Sequence, residues 1–175
     1  VKLATAWAAG ERHVVSLQYA GVPKVARRPP WSDGFVWKQT ADGRPWVGVP
    51  GQGDGGHDWW PCKDHPADEP DEGMSIALTV PADLVGLTNG KRLSEEKNAD
   101  GTTTSRWEVT YPINNYLVSV NIAPYVPIEA TYNGIDGTLD EKILFWALPE
   151  HEEKARAMWK QAPKMLEVLG RRFGE

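Results

Sequence analysis

The sequence contains a single cysteine, Cys62, so no disulfide can form within the 175 residues and the redox compartment is not indicated. It has no Lys- or Arg-rich run and a formal net charge of only −5, which argues against nucleic acid or an anionic membrane as the main partner. No apolar run approaches the roughly 18 residues that a membrane-spanning helix needs. The chain does have 41% hydrophobic residues and nine tryptophans, which are enough to build a folded core.

Short runs of branched, aromatic or alternating residues, separated by turn signals, predict a mainly β fold with antiparallel strands. MSIALTVP is the clearest run, because its apolar residues alternate as a half-buried strand requires. Asn98-Ala99-Asp100-Gly101 predicts a hairpin turn between two of the runs. The predicted strands are 13–20, 35–38, 44–49, 74–81, 84–90, 91–96, 103–111, 116–125, 126–132 and 142–148.

Residues 149–175 change character and predict a C-terminal helical segment. The segment begins with acidic residues and ends with Arg171 and Arg172, as the helix dipole favours. Pro163 lies inside it and is expected to kink or split the helix. One face of the helix is predicted to be apolar and to dock on this domain or on a missing one: Ala155, Met158, Trp159, Ala162, Leu166 and Leu169.

The stretch GQGDGGHDWWPCKDHP, residues 51–66, carries the most conspicuous candidate chemistry. His57, Cys62 and His65 have the spacing H-x4-C-x2-H, beside two aspartates, and three such groups could ligate zinc. A structural zinc site usually has four protein ligands at tighter, paired spacings, however, and no second cysteine exists. We therefore favour a turn-rich loop with a buried cysteine and hydrogen-bonded imidazoles, and we predict no metal site.

Three further patterns have simpler structural interpretations. Cys62 and His65 could form a nucleophile and base, but so short a spacing after Pro61 does not correspond to a known arrangement. The residues His151 to Ala155 read HExxA, and alanine cannot replace the second histidine of the zinc motif HExxH. Five tryptophans in the loop-rich first third could stack on sugars or instead fill a core: Trp31, Trp37, Trp46, Trp59 and Trp60.

Several segments resemble the N-terminal, non-catalytic domain of zinc aminopeptidases of the aminopeptidase N family, which are gluzincins. They are the element Pro61-Cys62-Lys63-Asp64-His65-Pro66, the strand from Ile76 to Pro81, and the turn Thr88-Asn89-Gly90. YPINNYLVSVNIAPY, residues 111–125, resembles a later strand of that domain, with Ala123 where many members have glycine. The last 27 residues resemble the helical passage that leads into the catalytic domain. Trp59-Trp60 and SDGFVWK suggest a bacterial subgroup.

The resemblance implies a saddle-like antiparallel β-sandwich at 1–148, with upstream strands missing, and a linker helix at 149–175 leading toward an absent catalytic domain. It also implies that Gln52, nine residues before Pro61, binds the free amine of a peptide substrate. A carboxamide oxygen can accept hydrogen bonds from an ammonium, and Gly51 and Gly53 allow close approach of the backbone. His57 stands where many members have arginine, which leaves the role of that arginine open.

No catalytic residue of the family lies in this chain. The resemblance therefore predicts a fragment that closes one side of an active site, is inactive alone, and holds no cofactor. In the parent enzyme the partners would be the peptide N-terminus and the chain's own catalytic domain, which would hold the zinc. The alternative from another class is a non-enzymatic β-sandwich module that binds carbohydrate or protein through exposed tryptophans.

Overall fold

The computed structural model describes residues 5–29, 31–32, 34–50 and 56–175. These residues form a mainly antiparallel β structure that ends in helices, which confirms the predicted fold class. The strands within them are β1 Val36–Gln39, β2 Pro45–Gly48, β3 Met74–Pro81, β4 Val85–Thr88, β5 Lys91–Lys97, β6 Thr102–Val109, β7 Val120–Ala123, β8 Val126–Tyr132 and β9 Glu141–Ala147. The helices are α1 Glu152–Trp159 and α2 Ala162–Phe173.

The strands form three sheets. The first has the order β1-β2-β7-β4, the second the order β3-β6-β5, and the third is the β8-β9 ribbon. Every pairing between these strands is antiparallel. In the first sheet β7 lies between β2 and β4, so a late segment of the chain joins two earlier hairpin regions.

The strand β3 has the alternation that the sequence predicted. Val80 is buried and Met74, Ile76 and Leu78 are half-buried, whereas the residues between them are exposed. The predicted hairpin is also present between β5 and β6. In its turn the Asp100 carboxylate accepts hydrogen bonds from both the backbone N–H and the hydroxyl of Thr102, at 3.1 and 2.7 Å.

A compact apolar cluster lies where β6 leads into β7. Val109, Ile113 and Val118 are buried, and Val109 is only 1% exposed. Trp59 and Trp60 pack against this cluster together with Met74 and Ile76 of β3. The cluster therefore connects the second sheet, the β6–β7 connection and the loop that precedes Pro61.

The predicted strand at 13–20 is wrong. These residues are exposed and have no regular secondary structure, and Val14 is 94% exposed. A run of β-forming residues makes a strand only when another strand pairs with it, and the described part of the chain pairs none with 13–20. The segment is attached through Tyr19, whose hydroxyl donates to the carbonyl of Trp59 at 3.0 Å.

The C-terminal helix is split, as Pro163 predicted. α1 ends at Trp159, α2 begins at Ala162, and the proline occupies the first turn of α2, where its missing N–H is tolerated. Trp159 stacks on Phe145 of β9 with ring centroids 4.0 Å apart and planes at 11°. Glu175 accepts a hydrogen bond from the backbone N–H of Ile135 at 2.9 Å, which ties the C-terminal residue to the connection after β8.

The predicted apolar face of this segment is only partly covered. Ala162 is buried and Ala155 and Trp159 are half-buried, because this edge lies on the β8-β9 ribbon. A second stripe faces solvent in the structure, where Met158 is 64% and Met165 58% exposed. Among the described residues no helix combines the length and the apolar character needed to cross a membrane.

Candidate functional site

The loop from Gly56 to Pro66 begins with a tight 3-10 turn, Gly56–Asp58, that is packed into the domain. The backbone N–H groups of Trp59 and Trp60 both donate to the carbonyl of Gly56, at 3.3 and 3.2 Å. A Cβ atom at Gly56 would lie 2.9 Å from the carbonyl oxygen of Asn115 and 3.3 Å from Cys62 Sγ. The close approach of the two backbones therefore requires glycine at this position.

The side chain of Asn115 binds the C-terminal part of this loop. Its side-chain Nδ2 donates to the carbonyls of both Lys63 and His65, each at 2.8 Å, and the residue is only 5% exposed. The neighbouring Asn114 donates from Nδ2 to the carbonyl of Pro66 at 3.0 Å. Because loop carbonyls have no strand to pair with, these side chains supply the donors that a sheet would otherwise provide.

The turn after β4 forms hydrogen bonds to the connection between β6 and β7. Asn89 Oδ1 accepts the backbone N–H of Ser119 at 2.8 Å, and the Thr88 hydroxyl donates to the Ser119 carbonyl at 2.7 Å. Gly90 completes this turn with a φ of 90°, and a Cβ there would lie 2.2 Å from the carbonyl oxygen of Glu108. Residues 114–119 of the segment 111–125 thus contact both 61–66 and 88–90. These are the three segments quoted above for their resemblance to the aminopeptidase domain.

The contribution of the two asparagines was missed in the sequence. Asn114 and Asn115 directly precede the strand that we predicted at 116–125, whereas the structure has a 3-10 turn, Asn115–Leu117, and its strand β7 begins only at Val120. A tandem Asn-Asn pair is a signal against a strand interior, since asparagine side chains hydrogen-bond local backbone instead. That signal could have located the turn.

His57 belongs to a chain of charged groups on the outer side of the loop. Its Nδ1 lies 3.0 Å from Asp64 Oδ1, and its Nε2 lies 3.7 Å from Asp58 Oδ1. Asp58 is also paired with Lys24, at 2.7 Å, and its side chain is only 11% exposed. The contacts tie the exposed 13–29 segment to the loop. The two aspartates therefore account for the position of the imidazole.

The geometry does not fit a metal ion at the His57, Cys62 and His65 positions. No group of three or more His, Cys, Asp or Glu side chains within the described ranges converges as metal ligands would. His57 is engaged with two aspartates, and Nδ1 of His65 instead accepts the backbone N–H of Ala67 at 3.2 Å. Residues 51–55 lie outside the described part of the chain.

Cys62 is not prepared as a nucleophile. Burial raises the pKa of its thiol above the ordinary value, and the negative charges of Asp64 and Asp68 raise it further. A catalytic cysteine needs the opposite environment, one that stabilises the thiolate. His65, the proposed base, uses a ring nitrogen on Ala67.

The HExxA pattern lies at the start of α1 and has a structural explanation. Glu152 forms an ion pair with Arg156 one helical turn later, at 2.7 Å. Glu150 accepts the backbone N–H of Ala41 at 3.1 Å, and this contact and its own backbone hydrogen bond lower its pKa. The acidic residues thus stabilise the beginning of the helix and its contact with the β1–β2 turn.

The five tryptophans of the first third have different environments. Trp59 and Trp60 pack on the core, and the indole N–H of Trp46 donates to the Tyr125 hydroxyl at 3.1 Å. Trp31 and Trp37 remain 68% and 54% exposed, and Trp37 stacks with Phe35 at a centroid distance of 5.8 Å. A groove of about 520 Å³ borders Trp46, Asn121 and Pro50 on the first sheet.

Gln52, the predicted amine-binding residue, lies outside the described residues. The described residues end at Pro50 before it and resume at Gly56 after it. Val49 donates its backbone N–H to the carbonyl of Val120 at 2.9 Å, so the chain enters the segment from the edge of β7. It leaves the segment at the buried Gly56. The prediction for Gln52 therefore stays a prediction.

Solved structures with the same fold exist. The M1 zinc metallopeptidase of Deinococcus radiodurans superposes with a TM-score of 0.63 at 21% identity, covering 88% of this chain and 34% of that one. A mutant of the same peptidase bound to a Tyr-Ser-Ala substrate matches with a TM-score of 0.60 at 19% identity and the same coverage. The fold is that of a part of an M1 zinc metallopeptidase.

A two-domain M1 zinc metallopeptidase mutant bound to L-arginine matches as well, with a TM-score of 0.61 at 21% identity. The present chain spans about a third of the length of these structures. No family model matches the chain, and no curated protein matches it. The comparison therefore establishes the fold.

Proposed function

We propose that this chain is the N-terminal domain portion of a zinc-dependent aminopeptidase, and that it closes one side of the active site and anchors the substrate amine. The observation that carries the proposal is the fold match over 88% of the chain to M1 zinc metallopeptidases, one of them with a bound peptide substrate. The β domain would comprise residues 1–148, and residues 149–175 would lead toward a catalytic domain.

In this proposal Gln52 is the amine anchor. Its carboxamide oxygen accepts hydrogen bonds from the ammonium of the peptide N-terminus, and this requirement for a free amine enforces removal of residues from that end. The groove on the first sheet, which Pro50 helps to line, offers space for a ligand. In support of the proposal, the described loop from Gly56 to Pro66 is anchored by the close approach at Gly56 and by the side chain of Asn115.

The zinc of the enzyme would be held elsewhere in the protein. The described histidines and the cysteine do not converge on a common point, so they do not fit a metal. The exposed stripe of α1 and α2 fits a second part of the protein, because Met158, Met165 and Leu169 would be covered by it. The partners are then the peptide N-terminus and the protein's own catalytic domain.

Two observations test the proposal directly. The gene is read downstream of the codon for Glu175, where the proposal expects an HExxH motif and a distant glutamate within the next domain. The purified 175-residue chain is then assayed with aminoacyl-p-nitroanilides, with and without added Zn²⁺, and no turnover is expected. Hydrolysis by the pure chain, or a reading frame that lacks the motif, would refute it.

The exposed pair Trp31 and Trp37 keeps a non-enzymatic binding module as the second candidate. Stacking of a sugar ring on either indole would quench or shift tryptophan fluorescence. Titration with oligosaccharides is expected to leave the emission unchanged. Trp59 and Trp60 pack on the core and Trp46 hydrogen-bonds to Tyr125, so these three indoles do not form a shared sugar-binding surface. Saturable quenching that is lost in Trp37→Ala would favour the module instead.

A further inference from the structure

A cleft of about 730 Å³ is lined on one side by the second sheet and on the other by the strand β9. Trp107 of β6, which is 7% exposed, lines the first side, and Leu144 and Trp146 of β9 line the second. The volume lies within the range of roughly 300 to 1,000 Å³ that small-molecule sites have. No residue of the loop 56–66 lines it, so this cleft is distinct from the loop described above.

The alternation of β9 divides its side chains between the helices and the cleft. Phe145 stacks on Trp159 of α1, with ring centroids 4.0 Å apart. Leu144 and Trp146, on either side of Phe145 in the strand, line the cleft instead, and Leu144 remains 41% exposed there. The helices therefore cover one face of the β8-β9 ribbon, and the apolar side chains of its other face are left to the cleft.

Arg92 places a fixed cation in this cleft. It is the cross-strand partner of Trp107, so the two side chains share one face of the second sheet. Its guanidinium carbon lies 5.4 Å from the centroid of the Trp146 ring, and its Nη1 donates to Glu95 at 2.9 Å. The remaining guanidinium N–H groups form no hydrogen bond to the described residues, and a planar guanidinium can present such groups in pairs to a carboxylate.

Charged side chains of both signs surround this cation. Lys91 and Lys142 line the cleft, and neither forms an ion pair within the described ranges. Asp140 and Glu141 line it as well, and in the same part of the chain they too have no ion pair. The cleft therefore offers cations to a ligand carboxylate, and it offers two carboxylates to a ligand that also carries an ammonium group.

We propose that this cleft binds a small apolar carboxylate, with the carboxylate on Arg92 and the apolar body against Trp107 and Trp146. Hydrogen bonds from a guanidinium to a carboxylate are charge-assisted and directional, and the indole behind the guanidinium shields one of its faces from water. Two sources of ligand share this chemistry. A free apolar amino acid would also bring an ammonium group to Asp140 and Glu141, whereas a plain carboxylic acid would not.

The test uses three probes that share a phenylethyl body and differ in charge: L-phenylalanine, 3-phenylpropionate and 2-phenylethylamine. Each is titrated into the 175-residue chain by isothermal titration calorimetry. At least one of the two acids is expected to bind a single site with a Kd of about 0.1 to 1 mM, as ligands of this size do. 2-Phenylethylamine lacks the carboxylate and is expected to bind at least about ten-fold more weakly.

Three variants locate the binding. Arg92→Gln removes the cation and is expected to raise the Kd of the bound acid by about ten-fold or more. Leu144→Glu keeps Arg92 but adds a carboxylate to the cleft at a position that is already exposed, so it should raise the Kd similarly even if Arg92→Gln does not fold. Arg106→Gln is the matched control. Arg106 precedes Trp107 in β6 and its exposed side chain lies on the opposite face, so the Kd is expected to stay within about two-fold of the wild type.

The two acids distinguish the sources of the ligand. Binding of L-phenylalanine at least as tight as that of 3-phenylpropionate would identify an amino acid, and tighter binding of 3-phenylpropionate would identify a plain carboxylic acid. Either result supports the site when Arg92→Gln and Leu144→Glu both weaken the binding. The site is refuted if neither acid binds at concentrations up to about 10 mM, if 2-phenylethylamine binds as tightly as the acids, or if both variants leave the Kd unchanged. The amine-binding role proposed for Gln52 is unaffected by any of these results.

Discussion

Trp107 is buried and Trp60 is half-buried with a buried indole nitrogen, and the two offer a paired test of the packing because only Trp107 satisfies its indole N–H. Trp107 is 7% exposed and donates from Nε1 to the Ser105 hydroxyl at 3.0 Å, and that hydroxyl donates in turn to the carbonyl of Gly86 at 3.2 Å. The Nε1 of Trp60 is buried and has no hydrogen-bond partner among the described residues. Replacement of each by phenylalanine should therefore have different costs.

Both replacements remove a similar apolar area, worth about 1 kcal/mol. Trp107→Phe also removes a buried hydrogen bond, for a further loss of about 1 to 2 kcal/mol, so its total cost is about 2 to 3 kcal/mol. Trp60→Phe instead removes a donor whose burial was uncompensated. Removing that donor should raise the free energy of unfolding by about 1 kcal/mol or more, which offsets the loss from the removed apolar area. The net change in the free energy of unfolding should therefore lie within about 1 kcal/mol of zero.

Urea denaturation of the 175-residue chain, followed by far-UV circular dichroism, gives the free energy of unfolding for each variant. Equal slopes with denaturant would show that the unfolded state is unchanged. A cost for Trp60→Phe that matches the cost for Trp107→Phe would refute the reasoning, because it would show that the two indoles are equally well satisfied.

Two further predictions concern the Cys62 thiol and the C-terminal helices. The rate of Cys62 alkylation by iodoacetamide should rise with pH through a midpoint above that of an ordinary thiol, because burial and the two aspartates raise the pKa of the thiol. The double variant Asp64→Asn, Asp68→Asn should lower that midpoint. An ordinary midpoint in the unmodified chain would contradict the assigned environment. Trp159→Ala should lower the free energy of unfolding by about 2 kcal/mol, because the stack on Phe145 is lost, and it should expose α1 amides to hydrogen exchange. Met158→Ala, at a 64% exposed position, should change neither the stability nor the exchange. Equal effects of the two variants would show that α1 does not dock as described.

Local pattern was sufficient for much of the β structure. The alternation in MSIALTVP, the Asn-Ala-Asp-Gly turn and the position of Pro163 each act over a few residues, and each predicted its element. The segment 13–20 failed for the opposite reason. Its β-forming composition is real, but pairing depends on a neighbouring strand that local sequence does not reveal.

The candidate site shows the same division. Cys62, His57 and His65 are candidates by residue type alone. The structure instead shows His57 in contact with aspartates, His65 bonded to a backbone N–H, and Cys62 in surroundings that raise its thiol pKa. Asn115 was overlooked because its partners lie about fifty residues away in the sequence. A contact of that separation leaves no periodic trace, and it can be read only from the fold.

The central claim is that this domain anchors the free amine of a peptide through Gln52. The most direct measurement compares kcat/KM of the full-length enzyme for one peptide with a free and with an acetylated N-terminus, in the wild type and in Gln52→Ala. The account predicts that Gln52→Ala lowers kcat/KM for the free peptide by about ten-fold or more and narrows the preference for it. An unchanged preference, with equal kinetics for both enzymes, would contradict it.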